Sequence, residues 1–145
     1  MAVVFASVAP VCLYAQEQPT ASELRLLDAV NRERRERGLK VLRWDPALAL
    51  AAMRHAEEMA KHNAISHQFP GEPGLAARVN KAGVHFMAVA ENVAQAQSTV
   101  TIHNLWMGSS GHRANILDKD MDSLGVAVVE RNGDLFAVED FCRHR

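Results

Sequence analysis

Apolar positions recur at helical spacing in the first half of the chain. Thr20-Ala21-Ser22-Glu23 has the spacing of a capping box, and three apolar residues follow it on one helical face, Leu24, Leu27 and Val30. Gly38 is a suitable stop for this first helix. Asp45-Pro46 predicts the start of a second helix, because Asp is a favoured N-cap and Pro a favoured first helical residue. The helical pattern then continues to about His62.

The second half of the chain predicts shorter elements. In chain order these are a helix over 75–82, an extended run over 84–93, a helix capped by Ser98, a helical turn over 113–117, and strands over 124–130 and 135–141. Asn132-Gly133 lies between the last two runs and is a strong signal for a β-hairpin. Because helices come first and most strands come late, the order predicts an α+β fold.

The length and the net charge of the chain exclude several classes of protein. The chain has 145 residues, which fits one domain, expected over residues 20–145. Lys and Arg number 16 against 17 Asp and Glu, so the net charge is −1 and no basic surface for nucleic acid is expected. No apolar run is long enough to span a bilayer as a helix. The run of charged residues over 32–37 predicts a solvated helix face.

The first fifteen residues differ from the rest because none of them is charged. Residues 1–15 resemble the apolar region and small-residue end of a secretory signal, and the polar residues from Gln16 follow it. The basic stretch that normally precedes such a region is missing, which is compatible with a start further upstream. A buried first helix is the alternative, but Pro10 would interrupt it. We therefore expect an exported protein, secreted or periplasmic. Cleavage after Ala15 would leave Cys142 as the only cysteine.

Candidate chemistry lies near breaks in the predicted elements. His67 follows the second helix, Glu91 lies in an apolar extended run, and His112 follows a Gly and two Ser residues. The chain has no His-Glu-x-x-His, no paired Cys-x-x-Cys and no Gly-rich phosphate loop. These residues alone therefore predict only a small exported α+β domain.

Five segments in a fixed order resemble the CAP superfamily, which includes cysteine-rich secretory, antigen-five and pathogenesis-related proteins. They are Asn31-x-x-Arg34-x-x-x-Gly38-Leu39-x-x-Leu42-x-Trp44-Asp45-Pro46-x-Leu48, Ser66-His67, Glu91-Asn92-Val93, Trp106-x-x-Ser109-x-Gly111-His112-Arg113-x-Asn115-Ile116-Leu117 and Leu124-Gly125-Val126-Ala127. The resemblance covers about residues 22–142 and is greatest to the short, disulfide-poor bacterial branch.

The resemblance implies a three-layer α-β-α sandwich with a small, mostly antiparallel central sheet. It also implies a shallow cleft lined by two histidines and acidic residues. Carried over by position, His67, Glu91 and His112 are three of the four cleft residues. Ser109 stands where the family's second glutamate would be. Asn92 is a neighbour of the cleft, expected to bond loop backbone.

Three functions remain open for this cleft. Two His and one carboxylate match a zinc site with an open position, so His67, His112 and Glu91 are candidate metal ligands. We favour a binding module for a divalent metal, or for a small apolar or lipid ligand, with no catalytic residue assigned. A zinc-dependent hydrolase is the first alternative, but Glu91 cannot be both third ligand and general base, and Ser109 cannot replace a base.

The second alternative is a structural cleft in a protein that interacts with other proteins. A lipid groove would need exposed apolar side chains, and the candidates are Phe69, Leu75, Val79, Val84 and Phe86, which equally suit the core. The partner is an unknown ligand, lipid or protein, and we expect a monomer.

Overall fold

The computed structural model describes residues 18–145. In this range the helices are α1 (Ala21–Glu36), α2 (Pro46–His62), α3 (Leu75–Lys81), α4 (Thr99–Gly108) and α5 (Ser110–Ile116). The strands are β1 (Arg43–Trp44), β2 (Phe86–Ala96), β3 (Ser123–Arg131) and β4 (Asp134–His144). The predicted signal segment over 1–15 lies outside the described residues.

Side-chain caps begin the three longest helices where the sequence predicts them. The Thr20 hydroxyl accepts from the backbone N–H of Glu23 at 3.3 Å, and the Glu23 carboxylate accepts from the N–H of Thr20 at 2.8 Å. Asp45 Oδ1 accepts from the first free N–H groups of α2, and the Ser98 hydroxyl accepts from Thr101 in α4. Local hydrogen bonding therefore fixes these starts before any tertiary contact is considered.

The sheet has the strand order β1-β3-β4-β2 and is mostly antiparallel. Only β1 pairs in parallel, with β3. The predicted hairpin joins β3 and β4, and its turn residues Asn132 and Gly133 both have positive φ, at 54° and 84°. β1 was not predicted, because two residues are too few to show the alternation of a strand. β2 is an edge strand, which leaves one side of it open for the cleft.

Helices cover both faces of the sheet, which confirms the three-layer α-β-α sandwich. α2 and α3 lie on one face, and α1, α4 and α5 lie on the other. α2 approaches β3 so closely that a Cβ added at Gly125 would collide with the backbone of Leu48 and Ala49. On the opposite face Trp106 is buried, and its indole N–H donates to the carbonyl of Val93 at 3.0 Å.

The charged run over 32–37 is not uniformly solvated, and Arg34 corrects that prediction. Its side chain is fully buried and donates to three carbonyls, those of Lys40, Ile116 and Asp118, each at 2.8 Å. Burial lowers the pKa of Arg34, and nearby Asp118 partly opposes this. Arg34 thus connects α1 to the end of α5, a function that helical periodicity alone could not reveal.

Candidate binding cleft

The residues predicted to line the cleft lie around the edge strand β2, and two adjacent residues of this strand reach opposite sides of the sheet. Successive side chains on a strand point to opposite faces. Glu91 contacts Arg78 of α3, whereas Asn92 contacts the carbonyl of His112 in α5. Strand β2 therefore bonds to the helices on both faces of the sheet, through Glu91 on one face and Asn92 on the other. His67 comes from the α2–α3 side, and His112 comes from the α5 side.

Glu91 is buried, and both of its carboxylate oxygens are engaged. Oε1 accepts from Nδ1 of His67 at 2.9 Å, and Oε2 pairs with the guanidinium of Arg78. The side chain of Glu91 is only 2% exposed. Glu91 therefore orients the His67 ring through Oε1 and pairs with Arg78 through Oε2. Its role as a metal ligand stays a prediction.

His67 lies on a segment without helix or strand between α2 and α3, and its side chain is 62% exposed. Nδ1 donates to Glu91, whereas Nε2 has no protein partner among the described residues. The backbone carbonyl of His67 accepts from Arg78 at 3.1 Å. The ring is therefore fixed on one side and open to solvent on the other.

His112 occupies the first turn of α5 and is half-buried. Burial lowers the pKa of its imidazole, and the charge of nearby His67 lowers it further. Its ring is therefore neutral at neutral pH and keeps a lone pair for a ligand. The side-chain amide of Asn92 donates to its carbonyl at 3.2 Å, and Asn115 donates to Asn92 at 2.9 Å. Asn92 thus bonds backbone at the cleft, but the carbonyl belongs to helix α5 and not to a loop as predicted.

Within the described part of the chain, Ser109, at the fourth cleft position, is not connected to the other cleft residues in this way. Ser109 lies between α4 and α5, and within residues 18–145 its hydroxyl bonds none of the three other cleft side chains.

Glu72 was not predicted, yet it lies nearly buried behind the cleft, with Oε1 at 2.6 Å from Nδ1 of His55 and at 3.7 Å from Arg78. Its only sequence signal is an acidic residue inside the Pro- and Gly-rich break.

Two further acids lie beneath the cleft on β4. Asp140 stands opposite Glu91 in the strand register, and Glu139 stands opposite Asn92. Within residues 18–145 neither oxygen of Asp140 finds a donor, and only one oxygen of Glu139 does. Burial raises the pKa of Glu139 to about 8, and burial followed by the charge of Glu91 raises the pKa of Asp140 well above its usual range. Glu139 is therefore mainly neutral at pH 7.

The residues fit a metal only in part. Across residues 18–145 no three His, Cys, Asp or Glu side chains are arranged to share one ion. The two imidazoles of His67 and His112 are suitable ligands, but Glu91 is committed to Arg78 and His67. A metal held by the two imidazoles alone would need its remaining ligands from water or from groups outside the chain.

Two of the five candidate lipid-groove residues are buried, and the other three are half-buried and pack on two different core clusters. Val79 and Val84 are buried in a cluster against which Leu75 and Phe86 pack, and Phe69 packs on a different cluster. The part of the chain that the structure describes has no helix long and apolar enough to cross a membrane.

A family comparison agrees with this architecture. The model of the cysteine-rich secretory protein (CAP) family matches residues 27–141, well over half of the chain. The chain belongs to the CAP family. This CAP domain is 32% identical over 117 residues to the uncharacterized protein YkwD of Bacillus subtilis (strain 168). That alignment covers 80% of this chain and 46% of the relative, so the domain spans about half of the length of this curated relative.

Solved structures show the same fold. An extracellular protein of Bacillus anthracis str. Ames that contains an SCP domain superposes with a TM-score of 0.78 at 30% identity, covering 84% of this chain and 40% of that one. An outer surface protein of Borrelia burgdorferi gives a TM-score of 0.80 over 88% of this chain and 97% of its own. At 19% identity, the second likeness concerns the fold alone.

Proposed function

We propose that this CAP domain is an exported binding module and that the cleft between His67 and His112 is its binding surface. The observation that carries this proposal is the state of the His67 ring. Its Nδ1 is fixed by the buried Glu91, while its Nε2 is free, among the described residues, on a side chain that is mostly exposed. A ring held in this way is presented to a ligand with little loss of conformational freedom on binding.

The ligand chemistry that suits the cleft best is a divalent transition metal such as Zn²⁺. Imidazole nitrogens are good zinc ligands, and ligating histidines usually donate their other N–H to a carboxylate or carbonyl. His67 donates to Glu91 in this manner. His112 would provide the second nitrogen. Water or a polar group of a binding partner would fill the remaining coordination positions. A partner that supplied such a group would be recognised through the metal.

Binding is better supported than hydrolysis. A metal-assisted hydrolase needs a free general base within reach of the attacking water. The oxygens of Glu91 are both engaged, Glu72 is paired with His55, and Ser109 stands in place of the family's second glutamate. A purely structural cleft remains the alternative, because occupied oxygens on Glu91 also suit a rigid support.

Export is the second part of the proposal. The uncharged segment over 1–15 resembles a secretory signal, and one related structure is described as that of an extracellular protein. Pulse-labelling of the protein in a bacterial host would show a shortened chain outside the cytoplasm. Recovery of the full-length chain from the cytoplasm alone would contradict export.

A zinc titration by calorimetry at pH 7.5 tests the binding surface. We expect saturable binding of one ion in the wild-type protein and its loss in both His67→Ala and His112→Ala. His85→Ala is the matched control, since His85 is exposed just before β2 and should leave the affinity unchanged. Equal affinity in all four proteins would exclude the two imidazoles as ligands. No binding by the wild type would favour the structural cleft.

A further inference from the structure

The segment that carries His67 has no regular secondary structure of its own. It joins α2 to α3 over residues 63–74 and consists of turns and irregular backbone. Such a segment is positioned by side-chain bonds from its neighbours, because it lacks a backbone ladder. The groups that provide these bonds therefore decide where the His67 ring lies.

One buried side chain of α2 bonds this segment on both sides of His67. His55 is fully buried, with Nε2 at 2.6 Å from the carbonyl of Ser66 and Nδ1 at 2.6 Å from Oε1 of Glu72. A carbonyl oxygen can only accept, so Nε2 of His55 is a donor. A second proton lies between Nδ1 and the carboxylate. His55 thus joins the residue before His67 to the carboxylate five residues after it.

Glu72 continues the same arrangement into the segment. Its Oε2 accepts from the backbone N–H of Phe69 at 3.0 Å, and its own carbonyl accepts from the Gln68 amide at 2.8 Å. Arg78 of α3 adds support from the other side through the carbonyls of His67 and Pro73, at 3.1 and 3.0 Å. The backbone on both sides of His67 is therefore fixed by charged side chains.

We propose that His55 and Glu72 are positioning residues of the cleft. They hold residues 66–72 in the conformation that brings Nδ1 of His67 to Glu91, and the affinity of the cleft for metal depends on them. Neither needs to touch the ligand, because both nitrogens of His55 and both oxygens of Glu72 are already used. For its binding readout this inference rests on the proposed function.

His55 could be merely a core side chain, since its ring also lies near Phe69, at 6.2 Å between centroids. A residue that only fills space would affect stability and leave the bond between His67 and Glu91 unchanged. The test must therefore read the state of the His67 ring directly, in addition to stability.

The experiment compares His55→Gln and Glu72→Gln with His103→Gln in the full chain. His103 is the matched control, a buried histidine on α4 whose Nε2 lies 3.6 Å from Oε1 of Glu33 and which bonds none of the cleft side chains among residues 18–145. Zinc affinity is measured by calorimetry, and long-range ¹H–¹⁵N NMR reports which nitrogen of His67 carries the proton. Urea unfolding verifies that each variant is folded.

We expect both cleft-side variants to lose at least about tenfold in zinc affinity, the usual range for supporting residues of a metal site. The His67 ring should change from the Nδ1-protonated form to a mixture of tautomers, and the control should change neither property. Because His55 and Glu72 act as a unit, the double variant should lose little more than either single one.

Folded variants with wild-type affinity and an unchanged His67 tautomer would overturn the inference. If His55→Gln fails to fold, Glu72→Gln alone decides the question, because it lies in the surface segment. If the wild-type protein binds no zinc, the proposed function fails while the NMR readout still decides whether His55 and Glu72 position His67.

Discussion

The two histidines of the cleft are held by different chemistry. His67 lies on an irregular segment and is fixed through charged groups, the carboxylates of Glu91 and Glu72 and the guanidinium of Arg78. His112 lies on a helix, and its backbone is fixed by a neutral amide, that of Asn92. The His112 side also has the backbone hydrogen bonds of α5, such as those from Arg113 to Ser109 at 2.8 Å and from Leu117 to Arg113 at 3.0 Å, so it needs fewer side-chain bonds.

This difference predicts which side of the cleft loses more stability when one residue is replaced. Removing one partner from a buried ion pair leaves an uncompensated charge, whereas removing one amide leaves at most an unpaired polar group. The His67 side should therefore lose more stability on a single substitution than the His112 side. Single substitutions on the two sides test that ranking, beginning with the largest expected effect.

The largest effect should follow Arg78→Met, which removes the cation that faces two buried carboxylates, Glu72 and Glu91. We expect a loss of about 3–5 kcal/mol in the free energy of unfolding, measured in urea at pH 7. Arg54→Met on the exposed side of α2 should change it by no more than about 0.5 kcal/mol. Adding Glu91→Gln to Arg78→Met should recover part of the loss, and a loss below about 1 kcal/mol would refute the ranking.

A pH-dependent effect should come from Glu139 beneath the His112 side. Burial raises its pKa to about 8 from the ordinary 4.5, so the folded state retains a proton that the unfolded state releases. The stability from this group is complete below pH 4.5 and is lost as the pH rises to about 8, by roughly 5 kcal/mol at most.

Glu139→Gln should remove this part of the decline, because the Gln amide has no acidic proton to release in this range. Urea unfolding at pH 5, 7 and 9 measures it, and the variant should be more stable than the wild type at pH 9. The remaining slope belongs partly to Asp140, whose raised pKa acts in the same direction. Parallel pH profiles for the two proteins would contradict the assignment to Glu139.

The smallest effect should follow Asn115→Ala on the same side. Its amide donates to Asn92 at 2.9 Å and, more weakly, to the carbonyl of Glu91 at 3.4 Å. We expect a loss of about 1 kcal/mol in the free energy of unfolding, the usual value for one neutral hydrogen bond. Asn104→Ala, an exposed position on α4, is the control. A loss equal to that of Arg78→Met would show that the two sides do not differ.

Several parts of the fold could be predicted because their causes are local. The cap at Asp45 and the turn at Asn132-Gly133 are determined by residues within three positions of each other. An element that depends on residues far apart in the sequence was not predicted. β1 exists only because Arg43 and Trp44 align with β3, about eighty residues further along the chain.

The candidate site divides in the same way. His67, Glu91 and His112 could be selected because they lie within short segments resembling one family. His55 and Glu72 could not, since nothing in the helical stripe around His55 indicates that a carboxylate seventeen residues later will reach its ring. Arg34 was hidden for a related reason, because its carbonyl partners lie 82 and 84 residues away.

The sequence by itself determined the elements other than β1, their order, the fold class and three of the residues around the cleft, because caps, turns and short motifs act over a few positions. Only the tertiary structure decided how those residues are used. It placed Glu91 between His67 and Arg78, so that this carboxylate supports the His67 ring. The physical reason is that the charge of a buried side chain, and the hydrogen-bonding atoms it has left for a ligand, depend on groups that folding brings close. Those groups are distant in the sequence, so no local pattern reveals them.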